Sequence, residues 1–378
     1  MQYYEFKGHK ISALGFGAMR LPVIDGNDAQ VDEATTAEMV DYAIEHGINY
    51  FDTAWGYHGG NSELVMGKLL ATRPRESFFL ATKFPGYDVT NFGKHEEIFE
   101  RQMEKCQVDF FDFYLLHNVC ELNIESYLNN EKYGTVDYFL AQREAGRIKH
   151  LGFSVHGNFD TFKRFMDAYG EHMEFCQVQL NYMDWEFQDA RAKVEYLLER
   201  GIAVIVMEPL RGGILIGLGD ADMAMLEALR PGKSAVDWAL RWAASVDGVM
   251  TVLSGMSNMD QLRENVAIFE DPAPLNLAER MALEAVGKRM AGAKGVPCTA
   301  CHYCTSHCPL ELDIPRLLNL YNEHLSRPGG GFIAPMALGA MPEDKRPQAC
   351  IGCGSCSAVC PQQIDIPGAL ADFVEQLG

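Results

Sequence analysis

The chain has 378 residues, 48% of them hydrophobic, which is enough apolar material for more than one folded unit. Its formal net charge of −20 argues against a nucleic-acid partner, because phosphate binding needs clustered lysine and arginine. No run of eighteen apolar residues occurs and the first residues lack an apolar signal region, so we expect a cytoplasmic protein with no membrane partner.

Short apolar runs alternate with helical patterns over residues 1–270. The first stretch, YYEFKGHKIS, predicts a β-hairpin around Gly8. Eight strand-like runs then lie at 14–19, 48–53, 78–83, 111–117, 148–154, 174–180, 202–208 and 248–254. Helical periodicity fills the gaps; TAEMVDYAIEHG, for example, places its apolar residues on one face and ends at Gly47.

Eight strand–helix alternations over about 270 residues match the length of a (β/α)8 barrel. A doubly wound sheet alternates in the same way, so the pattern alone favours the barrel only modestly. GFGAMR lacks the third glycine of a dinucleotide-binding fingerprint, and no clear helix opens there. We predict an α/β protein with a (β/α)8 TIM barrel over 1–272, a connecting helix over 273–295 and a small, mostly helical C-terminal domain over 296–378.

Chemically active residues stand at the ends of three successive predicted strands. Asp52 ends the second strand and Tyr57 follows it, while Lys83 and His117 end the third and fourth strands. Active sites of such barrels gather at these carboxyl ends. A carbonyl that accepts hydride needs a proton: an ammonium lowers the high pKa of a tyrosine, a carboxylate holds the ammonium, and a histidine orients the carbonyl. Each residue alone could be structural, but the four together suit this chemistry.

This part of the chain resembles the aldo/keto reductase family over roughly residues 10–270. The resemblance lies in LGFGAMRLP, GINYFDTAWGYHGGNSELVMGKLL, LATKF, YLLHN, GFSVH and QVQLNY. It implies a (β/α)8 barrel that transfers hydride between NAD(P)H and a small carbonyl or alcohol. It implies Tyr57 as the general acid/base, with a pKa lowered by Lys83. It also implies that Asp52 pairs with Lys83 and that His117 orients the carbonyl.

The same resemblance implies a cofactor site. Ser154 and Gln177 match positions that hold the nicotinamide amide, although Val155 stands where the family has asparagine. The remaining implied contacts, to the pyrophosphate and the adenosine, are Pro209, Leu210, Gly212, Gly255, Ser257, Asn258, Gln261, Glu264 and Asn265.

Cofactor preference is left open at two of these positions. Many members carry a lysine and an arginine for the 2′-phosphate where this chain has Gly255 and Gln261. Losing two cations removes charge-assisted bonds of roughly 1.5–3 kcal/mol each, so the cofactor is NADP(H) or NAD(H). Trp55, His58 and His156 are expected to edge the substrate pocket, with Trp55 either as packing or as a substrate platform.

Eight of the eleven cysteines form two copies of one pattern. CTACHYCTSHCP and CIGCGSCSAVCP both read C-x2-C-x2-C-x3-C-P, and each is followed by an Ile-Pro helix start. Structural zinc sites use two separated cysteine pairs, and disulfides are rare in the cytosol. In two-cluster ferredoxins, three cysteines of such a run bind one [4Fe–4S] cluster and the fourth binds the other.

The repeat resembles these ferredoxins over roughly residues 296–366, and its long, partly helical spacer resembles the α-helical ferredoxin type. It implies two [4Fe–4S] clusters. Their ligands are Cys298, Cys301, Cys304 and Cys360 for the first, and Cys350, Cys353, Cys356 and Cys308 for the second. Cys106, Cys120 and Cys176 fall in barrel segments and are expected to be buried packing residues.

Three functions remain open at this point. Working clusters would pass single electrons to a redox partner protein or to the barrel, although hydride moves two electrons together and a flavin would usually split the pair. Structural clusters would only hold the C-terminal domain together beside a carbonyl reductase. Alternatively, the barrel is a nucleotide-sensing or docking scaffold for an electron-transfer module, against which the intact Asp52, Tyr57, Lys83 and His117 set argues.

Overall fold

The computed structural model describes residues 1–271, 273–292, 295–298, 304–327, 329–360 and 362–378. The chain forms two compact units, Met1–Leu283 and Glu284–Gly378. In these described ranges no helix combines the length and the apolar character needed to cross a membrane.

The first unit is built on a closed barrel of parallel strands. Its strands are β1 Tyr3–Phe6, β2 His9–Ser12, β3 Leu14–Gly17, β4 Tyr50–Asp52, β5 Phe79–Phe84, β6 Phe111–Val119, β7 Ile148–Val155, β8 Phe175–Gln179, β9 Ala203–Met207 and β10 Val249–Gly255. The first two pair as an antiparallel hairpin, and the rest close in the order β10-β3-β4-β5-β6-β7-β8-β9. The predicted hairpin, the eight predicted strands and the (β/α)8 barrel are confirmed, and the doubly wound alternative is wrong.

Helices fill the connections between the barrel strands, and two more follow the last strand. They are α1 Glu33–Glu45, α2 Ser62–Leu70, α3 His95–Cys106, α4 Ile124–Leu128, α5 Asn130–Tyr133, α6 Thr135–Glu144, α7 Phe159–Tyr169, α8 Asp184–Phe187, α9 Ala190–Leu198, α10 Asp220–Leu229, α11 Ala235–Ala244, α12 Met259–Glu270 and α13 Leu277–Gly292. Local chemistry sets the ends of α1: the Asp32 side chain accepts a hydrogen bond from the Thr35 amide at 3.1 Å, and Gly47 has a φ of +85° just after the helix.

The hairpin closes the amino-terminal end of the barrel. Phe6 from the hairpin packs against Phe113 at the start of β6, with ring centroids 5.7 Å apart. Phe113 in turn contacts Tyr50 at 5.0 Å and Phe175 at 5.2 Å, and all four rings are buried. Burying each such side chain stabilises the fold by about 1.5–3 kcal/mol. Because these side chains fill the amino-terminal end, a ligand site is expected at the carboxyl end of the barrel.

Glu174 ties the hairpin turn to the barrel. Its carboxylate lies 2.8 Å from Lys7 Nζ, 2.8 Å from His150 Nδ1 and 3.4 Å from Arg143 Nη1. Burial alone would raise the pKa of Glu174, but hydrogen bonds from His150 and Lys7 outweigh it and lower the pKa from 4.5 to about 2. The carboxylate therefore stabilises the folded state above pH 4.5, and this stabilisation disappears as the pH falls through 2.

Replacing Glu174 by glutamine should lower the free energy of unfolding at pH 7 by about 1–2 kcal/mol, because charged hydrogen bonds are lost at a partly exposed site. The difference from the wild type should shrink as the pH falls from 4.5 towards 2. Urea unfolding at pH 7, 4.5 and 3 measures it, with Glu171→Gln, whose side chain is 82% exposed, as the control. A loss that is equal at all three pH values would contradict the assignment.

The second unit is a small helical fold. Its helices are α14 Ile314–Ser326, α15 Ile333–Gly339, α16 Ser355–Ala358 and α17 Ile366–Leu377. The repeated Asp-Ile-Pro starts α14 and α17 alike: Asp313 accepts from the Arg316 amide at 3.3 Å, and Asp365 accepts from the Gly368 amide at 3.1 Å. Both predicted helix starts are confirmed. Between α14 and α15, the three glycines Gly329, Gly330 and Gly331 all have positive φ.

A hydrophobic core of its own holds this second unit together. Leu318 of α14 and Phe373 of α17 are fully buried in it. Cys304 and Cys356 belong to the same core, with 7% and 6% of their surfaces exposed. One cysteine of each motif therefore belongs to the packed interior of this unit.

Candidate functional site

Lys83 connects three groups at the carboxyl end of the barrel. Its Nζ donates hydrogen bonds to Asp52 Oδ1 at 2.5 Å, to the Thr53 carbonyl at 2.8 Å and to Tyr57 OH at 3.4 Å. Asp52 ends β4 and Lys83 lies in the neighbouring β5, so the closed barrel brings them together. The ammonium is 1% exposed and the carboxylate 4% exposed, which makes this a buried ion pair.

Burial and charge act against each other at this pair. Burial opposes the charge of Lys83, but Asp52 and Tyr57 outweigh it and raise the pKa of Lys83 above its ordinary value. Burial also raises the pKa of Tyr57, and the Lys83 ammonium opposes that rise without cancelling it. Lys83 thus lowers the pKa of Tyr57 in the predicted direction, but burial outweighs this effect.

His117 lies in β6 beside Tyr57, with the two rings edge to face and their centroids 6.1 Å apart. Burial lowers the pKa of His117 well below its ordinary value, and the charges of Lys83 and His156 lower it further. The imidazole is therefore neutral at neutral pH. A neutral imidazole N–H can donate a hydrogen bond to a carbonyl oxygen. The structure brings together all four predicted catalytic residues.

Ser154 and Gln177 stand opposite each other on the neighbouring strands β7 and β8. Both are buried, with 1% and 3% of their surfaces exposed. Ser154 Oγ accepts a hydrogen bond from the Asn118 amide at 2.8 Å. Gln177 Oε1 is buried and, within the described part of the chain, has no hydrogen-bond partner. A buried acceptor of this kind fits a ligand that brings an N–H donor, such as a carboxamide.

The loop after β9 contains the predicted pyrophosphate contacts. Pro209 and Leu210 form its turn, and Gly212 follows with a φ of +67° in a short 3-10 segment. Arg211 anchors this loop: it is fully buried, and its Nε donates to both carboxylate oxygens of Asp184 at 3.0 Å. The buried ion pair of Arg211 with Asp184 thus fixes the position of this loop.

The segment after β10 is ordered by its own side chains. The Asn258 side chain accepts from the Gln261 amide at 3.0 Å and so caps α12. Gln261 Oε1 accepts from the Ser257 amide at 2.8 Å, so Gln261 is already engaged by the chain itself. Gly255 ends β10 and adds no side chain to the site.

The last two predicted cofactor residues, on α12, face protein partners. Glu264 accepts a hydrogen bond from Ser234 Oγ at 2.8 Å, which joins α12 to the start of α11. Asn265 is buried and donates to Ser254 Oγ at 2.8 Å. The structure therefore places this pair in contacts that hold α12 in position.

The sequence analysis missed a cation, Arg20, in the loop after β3. A Cβ built on Gly255 would lie 3.1–3.2 Å from the Arg20 stem, and one built on Gly212 would lie 3.5 Å from Arg20 Nη2. Arg20 therefore crosses the glycine that replaces the expected lysine, and its guanidinium reaches the loop after β9. The predicted barrel could have indicated this position. Closing a barrel pairs its first strand with its last, and here Gly17 of β3 pairs with Gly255 of β10.

The expected pocket-edge residues separate into two groups. His58 is 3% exposed; its Nε2 accepts from the Leu21 amide at 3.1 Å and its Nδ1 donates to the Asp28 carbonyl at 2.8 Å. The expectation for His58 is wrong, because both ring nitrogens anchor a loop. Trp55 is half-buried, with Lys105 Nζ 4.7 Å from its ring centroid. His156 lies close enough to His117 to shift its pKa.

In the second unit, a small cavity that is partly open to solvent is bordered by Cys308, Cys350, Cys353 and Cys356. These are the four residues of the second predicted ligand set, although they come from both motifs. A [4Fe–4S] cluster takes one thiolate on each of its four irons, so four thiols spread around one cavity fit it. Among the described residues, no group of three His, Cys, Asp or Glu that could hold a single metal ion occurs.

The first predicted ligand set is only partly described. Cys298 and Cys360 are half-buried against the core that contains Cys304. Burial raises the pKa of the Cys304 thiol, and the charge of nearby Cys298 adds to the rise. Cys301 lies outside the described residues. The barrel cysteines Cys106, Cys120 and Cys176 are buried free thiols, as expected.

The fold places the first unit among (β/α)8-barrel proteins. Residues 13–282 match the aldo/keto reductase family, and residues 297–364 match the 4Fe-4S dicluster domain. The chain belongs to the aldo/keto reductase family of oxidoreductases, and it carries a 4Fe-4S domain after the barrel.

Several characterised proteins resemble the barrel part of the chain. L-galactose dehydrogenase of Arabidopsis thaliana is 26% identical over 298 residues, which cover 73% of this chain and 90% of the relative. NADH-specific methylglyoxal reductase of Escherichia coli (strain K12) is 23% identical over 304 residues, covering 68% and 89%. The solved holo form of an aldo-keto reductase from Bacillus halodurans is 25% identical with a TM-score of 0.61, covering 76% and 95%.

Proposed function

We propose that the barrel transfers hydride between NADPH or NADH and a small carbonyl or alcohol substrate, with Tyr57 as the general acid/base. The observation that carries this proposal is the buried Lys83 ammonium, which hydrogen-bonds Asp52 and Tyr57 together at the carboxyl end of the barrel. Membership of the aldo/keto reductase family supports it.

Each of the four residues has a separate task in reduction. The Tyr57 hydroxyl donates its proton to the carbonyl oxygen, and Lys83 stabilises the phenolate that remains. Asp52 keeps Lys83 charged and oriented. Neutral His117 donates a hydrogen bond to the same carbonyl oxygen and holds it in place. The bound nicotinamide supplies the hydride; Tyr57 then recovers its proton from solvent.

The cofactor would lie across the groups described above. Gln177 and Ser154 would hold the nicotinamide amide, and the loop at Gly212 would receive the pyrophosphate. Arg20 is the cation that the described structure offers at this end, and it crosses Gly255. The relatives named above include one dehydrogenase and one NADH-specific reductase, so the proposal covers both directions and both nucleotides.

We also propose two [4Fe–4S] clusters in the second unit, one of them in the cavity bordered by Cys308 and Cys353. Cys353 is exposed, and Ile351 beside it is 66% exposed. The cavity therefore has one edge at the protein surface. This supports the proposal that the cluster in it exchanges electrons with a redox partner protein. Cys304 and Cys356 in the core support a structural role as well, because losing a cluster would open that core.

Anaerobic purification followed by three assays tests both parts. Iron and sulfide analysis should give about eight irons per chain for two four-iron clusters. Reduction of small aldehydes should proceed with NADH or NADPH alone. If well-folded protein reduces no aldehyde with either nucleotide, the barrel proposal fails. If dithionite-reduced protein turns over substrate without nicotinamide, electrons reach the carbonyl from the clusters and the hydride role is wrong.

The raised pKa of Tyr57 predicts opposite pH dependences for the two directions. Reduction needs the protonated phenol, so kcat for reduction should stay flat between about pH 7 and 9 and fall only at higher pH. Oxidation needs the phenolate, so kcat for oxidation should rise with pH over the same range, by up to about tenfold per unit. Buffered pH profiles of kcat in both directions measure this. A reduction rate that falls between pH 7 and 9 would contradict it.

A further inference from the structure

Tyr87, in the loop between β5 and α3, lies against the candidate active site. Its ring meets the His117 ring edge to face, with centroids 5.2 Å apart and an interplanar angle of 88°. The His117 ring also meets the Tyr57 ring edge to face, at 6.1 Å and 83°. His117 therefore contacts the rings of two tyrosines, of which the sequence analysis found only one.

Two glycines near this loop leave room for tyrosine hydroxyls. A Cβ built on Gly56 would lie 2.4 Å from the Tyr87 hydroxyl, so a larger residue there would displace that hydroxyl. A Cβ built on Gly86 would lie 1.9 Å from the hydroxyl of Tyr127, which is buried. Gly56 precedes Tyr57 directly, so the Tyr87 hydroxyl rests on the loop that carries the general acid. This close fit makes Tyr87 a built part of the pocket wall.

The Tyr87 hydroxyl is available as a hydrogen-bond donor. Within the described ranges it makes no hydrogen bond, and the residue is 38% exposed. Burial raises the pKa of Tyr87 to about 12, and the charge of Tyr57 adds to the rise. The hydroxyl therefore keeps its proton across the working pH range.

Resting on the proposed function, we propose that Tyr87 determines specificity by donating a hydrogen bond to a second oxygen of the substrate. Tyr87 contacts His117, and its hydroxyl lies against Gly56, next to Tyr57. A substrate whose carbonyl oxygen is held by Tyr57 and His117 would therefore carry its next carbon near the second tyrosine. The preferred substrates are therefore carbonyl compounds with an oxygen on the carbon adjacent to the carbonyl, such as 2-hydroxyaldehydes. An apolar group at that carbon would leave the Tyr87 hydroxyl unpaired, which disfavours it.

Isosteric substrate pairs test this directly. The pairs are 2-hydroxypropanal with 2-methylpropanal, and hydroxyacetone with butanone; each exchanges one hydroxyl for one methyl. In the wild type, kcat/KM should favour the hydroxylated member by about three- to tenfold or more. Tyr87→Phe keeps the ring and its contact with His117, and it should remove this preference by lowering kcat/KM for the hydroxylated member only. Tyr4→Phe, in the hairpin at the other end of the barrel, is the matched control and should change neither value.

The outcomes separate this inference from the proposed function. If Tyr87→Phe lowers kcat/KM equally for both members of a pair, Tyr87 is structural and the inference is overturned. The inference is also overturned if Tyr87→Phe keeps the wild-type preference for the hydroxylated member, or if the wild type shows no such preference. In both cases, turnover of the substrates with NADH or NADPH leaves the proposed function intact. If the wild type turns over no member with NADH or NADPH, the proposed function fails and the inference fails with it.

Discussion

Replacement of Tyr57 by phenylalanine is expected to lower kcat for carbonyl reduction by about a thousandfold. The change removes the only proton donor that Lys83 contacts directly among the described residues, and a general acid contributes about 10²–10⁴ to rate. The ion pair of Lys83 with Asp52 and the ring contact with His117 do not depend on the hydroxyl, so the fold should be unchanged.

The measurement is steady-state turnover of one aldehyde with NADH and with NADPH. Nucleotide affinity, followed by quenching of protein fluorescence, should stay within about twofold of the wild type, because the hydroxyl lies at the substrate end of the site. Tyr133→Phe, a change of the same chemistry elsewhere on the barrel, should leave kcat unaltered. Near-wild-type turnover by Tyr57→Phe would remove Tyr57 from the reaction and revive the scaffold function.

The second large effect concerns Cys308. By position Cys308 belongs to the first cysteine motif, but it borders the same cavity as Cys350, Cys353 and Cys356. Cys308→Ser should therefore remove the second cluster, and iron should fall from about eight to about four per chain. Cys353→Ser should remove the same cluster and leave the same residual spectrum.

Double variants decide between crossed and separate ligation. Cys308→Ser combined with Cys353→Ser should retain about four irons, since both residues serve one cluster. Cys308→Ser combined with Cys360→Ser should lose nearly all iron. Loss of all iron in the first combination would show that each motif binds its own cluster. Cys120→Ser, a buried barrel thiol, is the control and should keep all iron.

Activity of the same variants separates the two roles of the clusters. If the barrel still reduces aldehydes with NADH or NADPH after Cys308→Ser, hydride transfer does not need the second cluster. A lowered unfolding midpoint of the second unit would then point to a structural role, because Cys356 lies in its core.

The local sequence was sufficient to predict the strands and helices, and also the candidate catalytic residues at the strand ends. Strand length, helical period and caps such as Asp32 depend on neighbours a few residues away, so the pattern predicts them. The set of Asp52, Lys83 and His117 also followed, since parallel strands of a barrel all end at one edge. The doubled cysteine run predicted two clusters for the same reason: its spacing is local.

Contacts between distant segments were decided only by the tertiary structure. Arg20 reaches Gly255, far away in sequence, because β3 pairs with β10 when the barrel closes. The pKa of Tyr57 depends on burial, which no motif reports. Tyr87 enters the site because Gly56, on a loop distant in sequence, leaves room for its hydroxyl. Residue types and spacing thus determined which chemistry the chain carries, whereas three-dimensional packing decided which further side chains share the pocket and how strongly each proton is held.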